Sequence, residues 1–67
     1  MQIKMTRLLG NVSVSTVCTG LDRYETLVVG GEHGGLQPGY STLEEAVAGH
    51  EHCVLVVLGL RTWGDRG

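Results

Sequence analysis

The stretch Tyr24–Val57, YETLVVGGEHGGLQPGYSTLEEAVAGHEHCVLVV, decides the fold, because a strand, a glycine-rich loop and a capped helix follow one another in it without a gap. In the strand, Tyr24, Thr26 and Val28 alternate with Glu25, Leu27 and Val29, the period of two of a pleated segment. Gly30, Gly31, Gly34, Gly35 and Gly39, with Pro38, then make a segment that neither helix nor strand tolerates. Ser41 or Thr42 can cap a helix, since Glu44 lies three residues after Ser41 and Glu45 three after Thr42, the spacing of a capping box. Leu43, Ala46, Val47, His50, Cys53, Val54, Val57 and Leu58 recur at spacings of three and four, which gives that helix one apolar face. The β-branched run Val54–Leu58 and the helix-weakening Gly49 suit a strand instead. No turn signal separates Ala48 from Val54, however, so the reading is a helix over 42–58.

Upstream, Val12, Val14, Thr16 and Cys18 alternate with Ser13, Ser15, Val17 and Thr19, a second strand rich in β-branched residues. Gly20-Leu21-Asp22-Arg23 supplies a short turn, so residues 12–29 form an antiparallel hairpin. The expected architecture is a single α+β domain over 1–67, a small ββα unit whose hairpin is covered by one C-terminal helix. Around that unit lie an N-terminal arm over 1–10, which could also extend the hairpin, a glycine-rich loop over 30–40 and a tail over 61–67.

A chain of 67 residues buries only about 60% of the surface its unfolded form exposes. Apolar residues make up 42% of it and charged residues 18%, more apolar surface than one small fold can shelter. Homo-oligomerisation is therefore expected, with Leu55, Val56, Leu58, Leu60 and Trp63 at the interface, beyond what one helical face can bury on a hairpin. Five scattered basic residues and a net charge of −2 argue against nucleic acid as a partner. Met1–Gly10 lacks the long apolar run of a signal peptide, and 54–60 is too short to cross a bilayer, so neither export nor a membrane is expected. Two cysteines, Cys18 and Cys53, are too few for a disulfide framework and read as core residues of a cytoplasmic protein.

His33, His50 and Cys53 are the candidates for a metal site, His50 and Cys53 sharing a helix face at i, i+3. The plainer reading makes His50 a hydrogen-bonded histidine on the buried face and Cys53 a core filler, so no metal or other cofactor is expected. Adjacent His52 and Cys53 diverge by about 100° on a helix and cannot form a dyad, and a buried Cys18 near His50 would lack exposure. No enzymatic activity is expected. The loop 30–35 lacks the lysine and hydroxyl residue of a phosphate-binding loop, although Gly31, His33, Gly34 and Tyr40 could together line a small-molecule site.

The phrases VSTVCTGLD (Val14–Asp22), YETLVVGG (Tyr24–Gly31) and YSTLEEAVAGHE (Tyr40–Glu51) resemble a group of short uncharacterised bacteriophage and prophage proteins. Their pattern runs STVxxGLD, then (F/Y)ETxVxGG, then YSTxEEAxxGH. The chain departs from it in the short join between GLD and YET, in Tyr24 and Val29 where aromatics are usual, and in Gln37-Pro38-Gly39 before Tyr40, where an arginine is common. The resemblance implies a phage gene product in a bacterial host cytoplasm and supplies no activity. The leading functional expectation is a non-enzymatic accessory protein that binds a host protein, one of host defence included. The alternatives are a protein that sequesters a small molecule or nucleotide between subunits, and a minor virion component.

Overall fold

Val14 opposite Val28 and Thr16 opposite Thr26 set the register from which the molecule is built. The computed structural model describes residues 1–60, so Trp63 and the tail 61–67 lie outside the described residues. Among the described residues the order is β1 (Gln2–Leu8), β2 (Val12–Gly20), β3 (Arg23–Val29), β4 (Gly39–Tyr40) and α1 (Leu43–Val57). The strands form one antiparallel sheet in the order β1-β2-β3-β4, with α1 packed across one face. This is the expected α+β fold, with β2 and β3 as the hairpin and a further strand added at each side.

Alternation sorts the hairpin between two environments. Val14, Thr16, Thr26 and Val28 point toward the helix and are buried, whereas Leu27 and Val29 between them point to the other face and are exposed. The turn is tight: Gly20 pairs with Arg23, leaving Leu21 and Asp22 at the corner, with Asp22 in the left-handed region at φ 54°, a conformation that Asp tolerates better than most residues.

The opening segment, expected as an arm, is the strand β1, paired antiparallel with β2 from Gln2 opposite Val17 to Leu8 opposite Val12. Gly10 and Asn11, at φ 77° and 60°, make the turn between them. The pattern hides this strand because a bulge between Gln2 and Lys4 shifts the register and because its helix-facing positions include Lys4 and Thr6.

On the other side the glycine-rich loop does more than connect. Gly35 donates its amide to the Val28 carbonyl, Val28 donates to Leu36, and Thr26 donates to Pro38. Residues 35–40 thereby run along the edge of β3 and end in the two-residue strand β4.

Thr42 caps α1, its hydroxyl accepting the Glu45 amide at 3.1 Å, while the Glu45 carboxylate accepts from the amide and hydroxyl of Ser41. These bonds, the Ser41 amide foremost, hold the Glu45 carboxyl below its ordinary value. The far end closes with Gly59 at φ 80°, Gly59 donating to Val56 and Leu60 to Leu55, the paired bonds of a Schellman motif. The run Val54–Val57 is thus helical.

The buried stripe is Ala46, His50, Cys53 and Val56, rotated from the expected one. Val56, assigned by the sequence to an interface between copies, is 1% exposed and part of the core. Leu43, expected inside, is about half exposed. The rotation follows from Gly49, against which the ring of Tyr40 lies so closely that a Cβ there would fall 2.2 Å from three ring and hydroxyl atoms.

Gly49→Ala tests this contact. Alanine favours an ordinary helix by about 1 kcal/mol, but overpacking costs about 1–3 kcal/mol. The expected outcome in urea denaturation is a net loss of about 1–2 kcal/mol; a gain in stability would show that Tyr40 does not fix the helix.

Candidate functional site

The side chains that carry chemistry gather inside the molecule, between the sheet and α1. Thr6 from β1, Thr16 from β2 and Thr26 from β3 all face the helix, and His50 comes down among them from α1. The imidazole Nδ1 lies 2.7 Å from the Thr16 hydroxyl and Nε2 lies 2.9 Å from that of Thr6. Thr16 in turn bonds Thr26, and the Tyr40 hydroxyl comes against Thr26 and Cys53. Thr16, Thr26, His50 and Cys53 are all fully buried, and among the described residues no buried side-chain polar atom lacks a partner. The unit is a polar seam through the core that joins three strands and the helix.

Its electrostatics favour neutral groups. Burial lowers the His50 pKa from its ordinary value, and the Lys4 ammonium adds to the effect while the Glu51 carboxylate opposes it. Lys4 itself reaches Glu51 at 3.5 Å at the solvent edge. Burial raises the pKa of Tyr40 and that of the Cys53 thiol, the latter partly offset by the Tyr40 hydroxyl. A thiol held in its neutral form is a poor nucleophile and a poor metal ligand. With both ring nitrogens taken by threonine hydroxyls, His50 presents no free lone pair to an ion. Among the described residues no cluster of three or more His, Cys, Asp or Glu is placed to hold a metal. His50 and Cys53 therefore take the structural roles that the helix spacing allows, and His33 is in the glycine-rich loop, where its carbonyl accepts the Leu36 amide.

The residues expected to line a small-molecule site do not converge. Gly34 donates to the Gly31 carbonyl at 3.3 Å and Gly35 to Val28 at 2.9 Å, so these amides serve the loop and the sheet edge. Gly31 packs so close to Val12 that a Cβ would lie 2.9 Å from its side chain. Tyr40 turns away into the core. It touches instead an open groove of about 280 Å³ bounded by Asp22, Arg23, Tyr24, Glu25, Gly39 and Ser41, in which Gly31, His33 and Gly34 have no part.

The surface offers two other features. β1 is an edge strand seven residues long whose outer side has no partner strand among the described residues. The sheet face opposite α1 has no layer upon it among the described residues, and Met5, Leu27 and Val29 are 39–50% exposed there. Of the remaining expected interface residues, Leu55 is half-buried, and Leu58 and Leu60 are exposed beyond the C-terminal turn of α1. Among the described residues no helix is long and apolar enough to cross a membrane. Comparison with family models, curated proteins and solved structures finds no match to this chain.

Two measurements test the seam. A histidine whose folded pKa lies below its ordinary value of 6.5 contributes stability above that value and loses it as the pH falls toward the folded pKa. The slope reaches at most about 1.4 kcal/mol per pH unit. Denaturation midpoints between pH 7.5 and 5 are expected to fall in the wild type and to flatten in His50→Gln; equal slopes would contradict the seam. Thr16→Val, which leaves an imidazole nitrogen and Thr26 with a lost partner, is expected to cost about 1–3 kcal/mol.

Proposed function

We propose that this chain is a non-catalytic binding module, a phage accessory protein that engages a host protein along the open edge of β1. The observation that carries the proposal is the unequal treatment of the two sheet edges. The edge of β3 is covered by residues 35–40 through hydrogen bonds from Thr26 and Val28 and to Val28. β1 instead leaves a row of outward backbone donors and acceptors over Gln2–Leu8.

An exposed strand edge is a template for an added strand, and proteins commonly blunt it when it has no use. In strand addition the backbone bonds supply affinity and alternate side chains supply specificity. β1 carries Lys4 and Arg7 and no acid, so the partner segment that fits it is extended and acidic. Lys4 is additionally held by Glu51 of α1, which fixes its charge beside the edge. The resemblance to phage and prophage proteins supports a partner in the cytoplasm of a bacterial host. The polar seam supports the same reading, because it commits His50, Cys53 and Tyr40 to holding the sheet and helix together.

The test is capture of a partner from host lysate, followed by hydrogen exchange on the purified complex. Amides of Gln2–Leu8 are expected to slow in the complex while those of α1 stay unchanged, and Lys4→Ala is expected to weaken binding a few-fold and to reduce its salt dependence. Protection confined to α1, or affinity indifferent to Lys4, would refute binding at the edge.

A further inference from the structure

The bare face of the sheet has a charge arrangement that a second copy of the chain would satisfy. The strand registers set three rows across it. Arg7, Ser13 and Val29 share the first, Met5, Ser15 and Leu27 the second, and Val17 and Glu25 the third. Ser15 is thus the centre of the patch, with Arg7 at one corner and Glu25 at the corner diagonally opposite, while Arg23, two residues before Glu25 on β3, adds a second cation beyond the third row. From strand spacings of ~4.8 Å and ~6.8 Å per two residues, Arg7 and Glu25 lie roughly 17 Å apart and cannot meet within one molecule. Arg7 has no hydrogen bond or ion pair among the described residues. Glu25 is held by the Gln37 side-chain amide at 2.9 Å, which orders the carboxylate without neutralising it.

We infer that this face is an isologous interface, on which two copies dock about a two-fold axis lying in the interface near Ser15 and running between the Arg7 and Glu25 corners. Such an axis carries Arg7 of each copy onto Glu25 of the other and forms two equivalent ion pairs. In an isologous contact every residue's partner is also contacted in return, so a self-docking patch must carry opposite charges at positions exchanged by the axis. A different protein as partner would impose no such relation on this chain. The exchange also sets Met5 over Val17 and Leu27 over Ser13 and brings Val29 near its own copy.

The same axis crosses the strands of the two copies at roughly 70° when the row and strand spacings are used, toward the orthogonal class of sheet packing. The molecule measures 32 × 28 × 15 Å along its principal axes, so two copies would have to cover most of one broad side to reach the ~800 Å² per partner of a standard stable interface. The inference is independent of the strand-edge reading. It concerns the sheet face and not the backbone edge, although Arg7 of β1 belongs to both, and it is tested on the purified protein with no host component.

Sedimentation equilibrium across micromolar concentrations is the first test. The wild type is expected to be a dimer whose affinity falls with salt. Arg7→Glu and Glu25→Arg are each expected to weaken it at least ten-fold, and the double exchange to restore it to within about three-fold, since the swapped charges meet again across the axis. Circular dichroism melts confirm that each variant folds. As an independent geometric test in a Cys18→Ser background, Ser15→Cys is expected to yield cross-linked dimer with a short bis-maleimide, whereas Ala48→Cys on the exposed side of α1 is not. A monomer throughout the range, a dimer unmoved by either charge reversal, failure of the double exchange to restore it, or equal cross-linking at both positions would overturn the inference.

Discussion

The structure depends on one buried imidazole that has to be satisfied at both nitrogens. Each uncompensated polar group in a core costs free energy comparable to a lost hydrogen bond or more. His50, fully buried on α1, therefore constrains where β1 and β2 lie. Thr6 and Thr16 have to present hydroxyls at opposite ends of one ring, and they do so at 2.9 and 2.7 Å. A small apolar core of Val14, Val28, Ala46, Cys53 and Val56 could be packed in several helix orientations at similar energy. The seam of directional bonds picks one, in the way that buried polar groups specify register in other small assemblies.

That choice has consequences at both faces of α1 and of the sheet. Turning Ala46, Gly49, His50, Cys53 and Val56 inward lets Tyr40 lie flat on the helix and leaves Leu43 and Leu58 outside. Filling the helix-facing side of three strands with threonine and valine sends Met5, Leu27 and Val29 to the opposite side, where one helix cannot also cover them. Among the described residues the apolar side chains left without shelter fall partly on the sheet face, at Met5, Leu27 and Val29, and partly at the ends of α1, at Leu43, Leu58 and Leu60. Chemistry-bearing side chains go inward and contact-bearing ones go outward, a division that suits a binding module.

Much of this was legible from the sequence. The alternation in Val12–Cys18 and Tyr24–Val29 marks the hairpin, and Thr42 with Glu45 marks the helix start. The i, i+3, i+4 pattern carries the helix through Val54–Val57 despite its β-branched residues. His50 as a hydrogen-bonded core histidine was readable from its place on the apolar face. Its partners were less so, because a threonine in a strand is equally at home on either face. The signal available was Thr16 and Thr26, set opposite each other by the β2–β3 hairpin, with Thr6 two residues along β1 from Lys4, the residue opposite Thr16. β1 escaped because its bulge breaks the alternation, and Val56 was misplaced because a stripe starting at Leu43 ignores the close approach that Gly49 permits. The phrases VSTVCTGLD, YETLVVGG and YSTLEEAVAGHE contain Thr16, Thr26, Tyr40, Gly49 and His50, residues of this chain that hold helix to sheet.

The most direct test of the central claim is nuclear magnetic resonance of the His50 ring in labelled protein, followed through a pH titration. The account predicts that the imidazole titrates below 6.5, its ordinary value, with a slowly exchanging hydroxyl proton visible on Thr16. An imidazole titrating at or above 6.5, with no protected hydroxyl beside it, would contradict the seam and the fold argument built on it.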